Sequence, residues 1–213
     1  MLRQVFLHSI NLNGYFNIRS FNNYTFPLTK IKSKLNLNLG GVYSRSPGMI
    51  NNSINYSNNY NVGLGFVLSS NISEKFDFTL SSNSTYNNIS NTMQSGLNSN
   101  YYNQNSKLKI QLMPWKGLVI QTDINHQYNS GLSANYNQNY ILWNAAIGYK
   151  FLKNNAGEFR LTVFDIMKQN KSISRNTTET YYEDVQTNVL EQYLLLSFTY
   201  NIKSFKETKK TKK

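Results

Sequence analysis

Apolar and aromatic residues recur on every second position through most of this chain, with Asn, Ser, Thr, Gln or a charge between them. Phe76, Phe78 and Leu80 alternate with Asp77, Thr79 and Ser81, while Leu194, Leu196, Phe198, Tyr200 and Ile202 alternate with Leu195, Ser197, Thr199 and Asn201. A period of two sends the two sets to opposite faces of a β-strand. No helical segment intervenes and the polar face never turns apolar, so one face suits a greasy surrounding and the other suits water. That is the pattern of a transmembrane β-barrel. The predicted fold class is all-β: an antiparallel meander of about nine long strands forming part of an outer-membrane barrel.

The predicted strands cover residues 5–20, 31–44, 56–70, 75–86, 101–113, 118–128, 139–152, 158–167 and 189–203. Most are longer than the usual strand and long enough to cross a bilayer at a tilt, which takes roughly nine to eleven residues. Connections alternate in length. Residues 71–74, 114–117 (with Trp115 at the centre) and 153–157 are short; 45–55, 87–100, 129–138 and 168–188 are longer and polar. Outer-membrane barrels pair short periplasmic turns with long outer loops, which puts the end of the last strand on the periplasmic side. The first connection, 21–30, is longer than a tight turn and departs from this rule. Pro27, Pro47 and Pro114 are all expected in connections, since a proline inside a paired strand removes a ladder donor.

The alternation assigns faces. Predicted to face lipid are Phe76, Phe78, Leu80, Leu118, Ile120, Ile124, Ile141, Trp143, Ile147, Tyr149, Phe151, Leu194, Leu196, Phe198, Tyr200 and Ile202. Predicted to face the lumen are Asp77, Lys107, Lys109, Gln121, Asp123, Asn125, Asn144, Lys150, Ser197, Thr199 and Asn201. A charge on the lipid face at mid-bilayer costs about 2–4 kcal/mol, so this sorting is a physical requirement.

Composition agrees with a one-layer wall. A mean hydropathy of −0.51 is low for a thick apolar core, but a barrel around water needs only its outer face apolar. No run approaches the roughly 18–20 apolar residues of a spanning helix. The 16 Tyr, 12 Phe and 2 Trp cluster toward predicted strand ends, as an interfacial girdle requires. Residues 1–205 form the predicted barrel segment. Residues 206–213, five Lys against Glu207, form a basic tail expected to be disordered and to carry part of the formal charge of +12. No nucleic-acid motif accompanies that charge, and no nucleic-acid partner is predicted. Cys is absent, which excludes disulfides and thiolate metal sites. The opening residues Met1 to Phe6 lack the features of a signal peptide, from which the chain is expected to be part of a longer one.

Candidate chemistry is sparse. His8 and His126 are far apart, acids number only 10, and neither a metal nor a cofactor is predicted. His126, Asn129, Ser130 and Gly131 invite comparison with an outer-membrane hydrolase, but a nucleophile needs an oriented base and the spacing does not match; a strand-end His beside a turn is the simpler reading, and no enzyme is predicted. Glu179, Glu183 and Asp184, with Tyr181 and Tyr182, fall in the loop before the last strand, where they either touch a cation or sugar or solvate the loop.

Three stretches carry a resemblance. They are residues Tyr140 to Phe151 (YILWNAAIGYKF), then Gly157 to Ile166 (GEFRLTVFDI) followed by Gln169 to Arg175 (QNKSISR), and Leu196 to Asn201 (LSFTYN). Over this last third the chain resembles the C-terminal end of outer-membrane β-barrel proteins related to TonB-dependent receptors of Bacteroidetes-type bacteria. The resemblance implies a parent with a signal, a small β-domain, a plug and a larger barrel, of which this chain is the final portion. Its implied partners are outer-membrane lipid, the remaining strands and plug of the parent, the barrel assembly machinery, and TonB through the missing N-terminal part. The basic tail departs from the family's usual aromatic ending. A small complete barrel with a structural or adhesive role is the alternative; an odd strand count argues against it, and eight strands would restore it.

Overall fold

The computed structural model describes residues 11–70, 72–73, 75–132, 137–177 and 182–202. Eight long strands follow one another: β1 (Phe16–Leu28), β2 (Ser33–Ile50), β3 (Ser53–Ser70), β4 (Phe76–Asn91), β5 (Ser99–Leu112), β6 (Leu118–Ser130), β7 (Gln138–Phe151) and β8 (Gly157–Phe164). A small ribbon, β9 (Ser172–Thr177) with β10 (Tyr182–Thr187), precedes β11 (Tyr193–Tyr200). The large sheet runs β1-β2-β3-β4-β5-β6-β7-β8-β11, each neighbour antiparallel. The predicted meander of nine strands is the one observed. β1 and β11 are its two edges, and they are not paired with each other.

Cross-strand partners share a face, so the register sorts the whole sheet. One face carries Leu37, Leu64, Leu80, Leu108, Ile124, Trp143, Val163 and Leu194 on successive strands from β2 onward. The other carries Asn38, Gly65, Asn83, Asn105, Gln127 and Tyr140, and it is dominated by amides and hydroxyls. The apolar face is open: Val62 is 55% exposed, Leu64 62% and Ile147 51%. The polar face is the covered one, with Asn55, Ser57, Asn87, Asn129 and Gln138 buried beside Ile89 and Val119. Crowding belongs to the concave side of a curled sheet, so the concave side is polar. This inverts the usual globular arrangement, and nothing in the sheet packs over the apolar side.

Several boundaries differ from those predicted. The opening strand is Phe16–Leu28, not residues 5–20; residues 1–10, with His8, lie outside the described residues. The predicted connection 21–30 is mostly strand, and the true turn is a 3-10 turn at Thr29–Ile31 closed by Lys32 N–H to the Thr29 carbonyl. The exception to the short-and-long rule thereby disappears. Pro27 lies inside β1, where an edge strand has a side with no ladder to complete. Pro47 lies inside β2, two residues past Arg45, the partner of the first β1 residue, so β2 has only β3 beside it there.

The predicted loops 45–55 and 87–100 are shorter than expected because their polar residues continue the ladders. β2 and β3 meet at Asn51 and Asn52, both at positive φ, and β4 runs on to Asn91. The predicted loop 168–188 contains the β9–β10 ribbon, on which Glu183 and Asp184 sit; Glu179 and Tyr181 lie outside the described residues. Asn201 and Ile202, predicted on the last strand, follow its end at Tyr200.

Candidate functional site on the polar face of the wall

Side chains of the polar face are tied across strands. Asn61 donates to Asn87 at 2.5 Å, Asn105 to Gln127 at 2.6 Å, and Asn103 to Asn129, which donates in turn to Gln138 at 3.3 Å. Each amide is both donor and acceptor, so a row of them satisfies its own polar atoms while staying wettable. Glycine lets these side chains lie flat: at Gly65 a Cβ would come within 2.0 Å of the Asn83 Oδ1 on the facing strand.

Toward β8 the face becomes charged. Arg160 pairs with Glu158 at 2.7 Å and sends its Nη1 to the Gln121 Oε1 at 3.0 Å; Gln121 donates onward to the Asp123 carboxylate at 2.7 Å. β7 lies between β8 and β6, and Gly148 is the partner of Arg160 on it. The missing side chain at Gly148 opens the path. The Arg160–Glu158 contact is an ion pair, with Glu158 the less exposed partner.

The register puts Asp77, Lys107, Lys109, Gln121, Asp123, Asn125, Asn144, Lys150, Ser197 and Thr199 together on the polar face. Lys107, Lys109, Asp123, Asn125 and Asn144 are brought closest: with Thr79 and Ser81 they line a shallow hollow of about 250 Å³. Asp77 is drawn to Ser70, whose hydroxyl donates to it at 2.7 Å. Ser197 and Thr199 sit on the edge strand, away from the hollow. Phe76, Phe78, Leu80, Leu118, Ile120, Ile124, Ile141, Trp143, Ile147, Tyr149, Phe151, Leu194, Leu196, Phe198 and Tyr200 share the apolar face.

Three features depend on contacts that the sequence pattern does not encode. First, Tyr43, Tyr60, Tyr86, Tyr102 and Tyr128 stand on the apolar face of five successive strands, β2 to β6, toward the ends opposite the short turns. Tyr43 and Tyr60 have ring centroids 4.7 Å apart, and Tyr102 and Tyr128 6.0 Å. Their alternation was visible; their alignment needed the register. Second, Ser82, Ser84, Gln104 and Ser106 interrupt the apolar face but bond one another and the Tyr102 hydroxyl. Such mutual bonding removes most of the cost of a polar group away from water. Third, Asp165, at φ 48° and buried, organises the connection after β8: its carboxylate accepts the N–H groups of Gln169 and Asn170, and its own N–H donates to Asn144 Oδ1.

His126 and Ser130 share one face of β6. His126 stands on the apolar face with Nε2 2.7 Å from Asn139 Oδ1, while Asn129 points to the opposite face. No group of His and carboxylates among the described residues is arranged to hold a metal ion.

A curled, one-layer antiparallel sheet, wettable on its concave side and bare apolar on the other, is the wall of a membrane β-barrel. A family model described as the outer membrane protein beta-barrel family matches residues 3–200, and the chain belongs to that family. The protein resides in the bacterial outer membrane. No curated protein and no solved structure matches the chain.

Proposed function

We propose that this sheet is the C-terminal part of the barrel of a TonB-dependent-receptor-like transporter, with no catalysis of its own. The observation that carries the reading is the pair of open edges. Among the described residues, β11 presents Tyr193 to Tyr200 with β8 on one side and no strand on the other, and β1 is likewise half-paired. An open edge in hydrocarbon leaves a row of N–H and C=O groups without partners, each costing several kcal/mol, so further strands must complete the wall. The sheet's nine strands among the described residues are also an odd number, against the even count of bacterial single-chain barrels. The missing strands are proposed to come from the same parent chain, together with a plug. The polar face then lines the lumen, and the hollow beside Lys107, Lys109 and Asp123 borders the ligand's path. Lipid covers the apolar face, the barrel assembly machinery inserts the parent, and TonB engages its N-terminal part.

The test is isolation of the assembled protein from outer membranes, followed by mass spectrometry of its heat-modifiable band. The reading expects one polypeptide much larger than 24.7 kDa that contains this stretch, with a plug that cross-links to TonB. A heat-modifiable species of 24.7 kDa without a plug overturns it.

A further inference from the structure

The meander sorts charge between its two ends. Four short connections lie at one end: the turns between β1 and β2, β3 and β4, β5 and β6, and β7 and β8. Every one of them carries lysine, namely Lys30 with Lys32, Lys75, Lys116 and Lys153, all exposed. Glu74 is the one acid in these segments. The opposite end differs in sign. Connections 51–52, 92–98 and 131–137 hold no charged residue, and residues 165–192 hold five acids against three bases.

Alternate strand pairs set successive turns about 10 Å apart, so the lysines form a spaced rim and not a single point charge. The adjoining apolar face ends in rings: Tyr149, Phe159, Phe198 and Tyr200 are all more than half exposed near the turn ends of their strands. Trp115, 64% exposed, is the neighbour of Lys116 within its turn. Rings of this kind settle at the boundary between hydrocarbon and headgroups, which places the lysines at headgroup level with their stems lying along the apolar edge. Fixed cations at that level attract anionic lipid, a term that sums over lysines and weakens with salt.

We infer that the lysine rim of the short turns is a docking surface for anionic phospholipid headgroups of the inner leaflet. The inference rests on the proposed reading in one respect, that short turns face the periplasm. It assigns these turns a lipid-selecting role that the transport reading does not require. Lys107 and Lys109, on the polar face, have no part in it.

The test uses the full-length protein reconstituted in mixed phosphatidylethanolamine and phosphatidylglycerol bilayers, with spin-labelled phosphatidylglycerol and phosphatidylcholine as probes. A preference for phosphatidylglycerol is expected, screened by salt, and reduced roughly tenfold by the combined change Lys30→Gln, Lys32→Gln, Lys75→Gln, Lys116→Gln and Lys153→Gln. The pair Lys107→Gln and Lys109→Gln should leave it unchanged. Equal association of both probes, or a preference that survives the five changes, overturns the inference. So does displacement of the lipid by millimolar inorganic phosphate, which would make the rim a site for the free anion. Orientation is read separately by labelling Asn154→Cys and Asn52→Cys on intact cells with an impermeant maleimide. Labelling at residue 154 alone contradicts the periplasmic placement, and with it the transport reading, independently of the lipid result.

Discussion

The guanidinium of Arg160 on β8 donates to the amide oxygen of Gln121 on β6, 3.0 Å away, although β7 runs between them. Gly148 makes the contact possible. A Cβ there would come 2.9 Å from Glu158 Oε1 and 3.7 Å from Arg160 Cβ. Gly148→Val is therefore expected to push the Arg160–Glu158 pair aside and to destabilise the assembled barrel by about 1–3 kcal/mol, as overpacking does. The measurement is the urea midpoint of the folded full-length protein. An unchanged midpoint would mean that Arg160 has another route to Gln121.

Ile147 and Ala146 are neighbours in sequence on opposite faces, Ile147 beside Ile120 and Ala146 beside Gln121. Ile147→Lys is expected to cost about 2–4 kcal/mol, because it sets a cation against hydrocarbon; Ala146→Lys should cost far less, since it adds a cation to a wet face. Comparing heat-modifiable yield and unfolding midpoint for the two variants checks the assignment of faces. Equal penalties would mean that the two faces are not in different solvents.

Asp165 holds the start of the 165–171 connection through the N–H groups of Gln169 (2.9 Å) and Asn170 (3.0 Å). Asp165→Ala removes both acceptors and is expected to cost about 1–3 kcal/mol locally. Hydrogen exchange should rise at Gln169 and Asn170 while protection within β4 and β5 stays as it was. Uniform loss of protection would show instead that Asp165 supports the whole sheet.

How much of this was legible in the sequence depended on the range of each interaction. β4 to β7 match their predicted starts within two residues because strict alternation there is bounded by turn residues such as Pro114 and Gly117. The pattern misplaces β1 because Ser20 and Asn22 fall on its apolar face and Phe21 on its polar face, where the ring lies over Gly40 at 3.0 Å from an ideal Cβ. A local pattern reads that as a break. The ladders at 45–50 and 87–91 are illegible locally because Pro47 and Gly48 read as a turn in the first, while in the second Asn88 and Ser90 take the apolar face and Ile89 the polar one. The bond from Arg160 to Gln121 depends on the pairing of three strands, which no local period encodes.

The central claim is that β1 and β11 each face further strands of a larger wall. Disulfide cross-linking in the full-length protein, between Arg19→Cys on β1 and Ser197→Cys on β11, tests it most directly, with neighbouring positions of the same parity on each strand to allow for register. No cross-link is expected in any combination, because other strands separate the two edges. Efficient cross-linking at one register would contradict it, since the nine strands would then close on themselves.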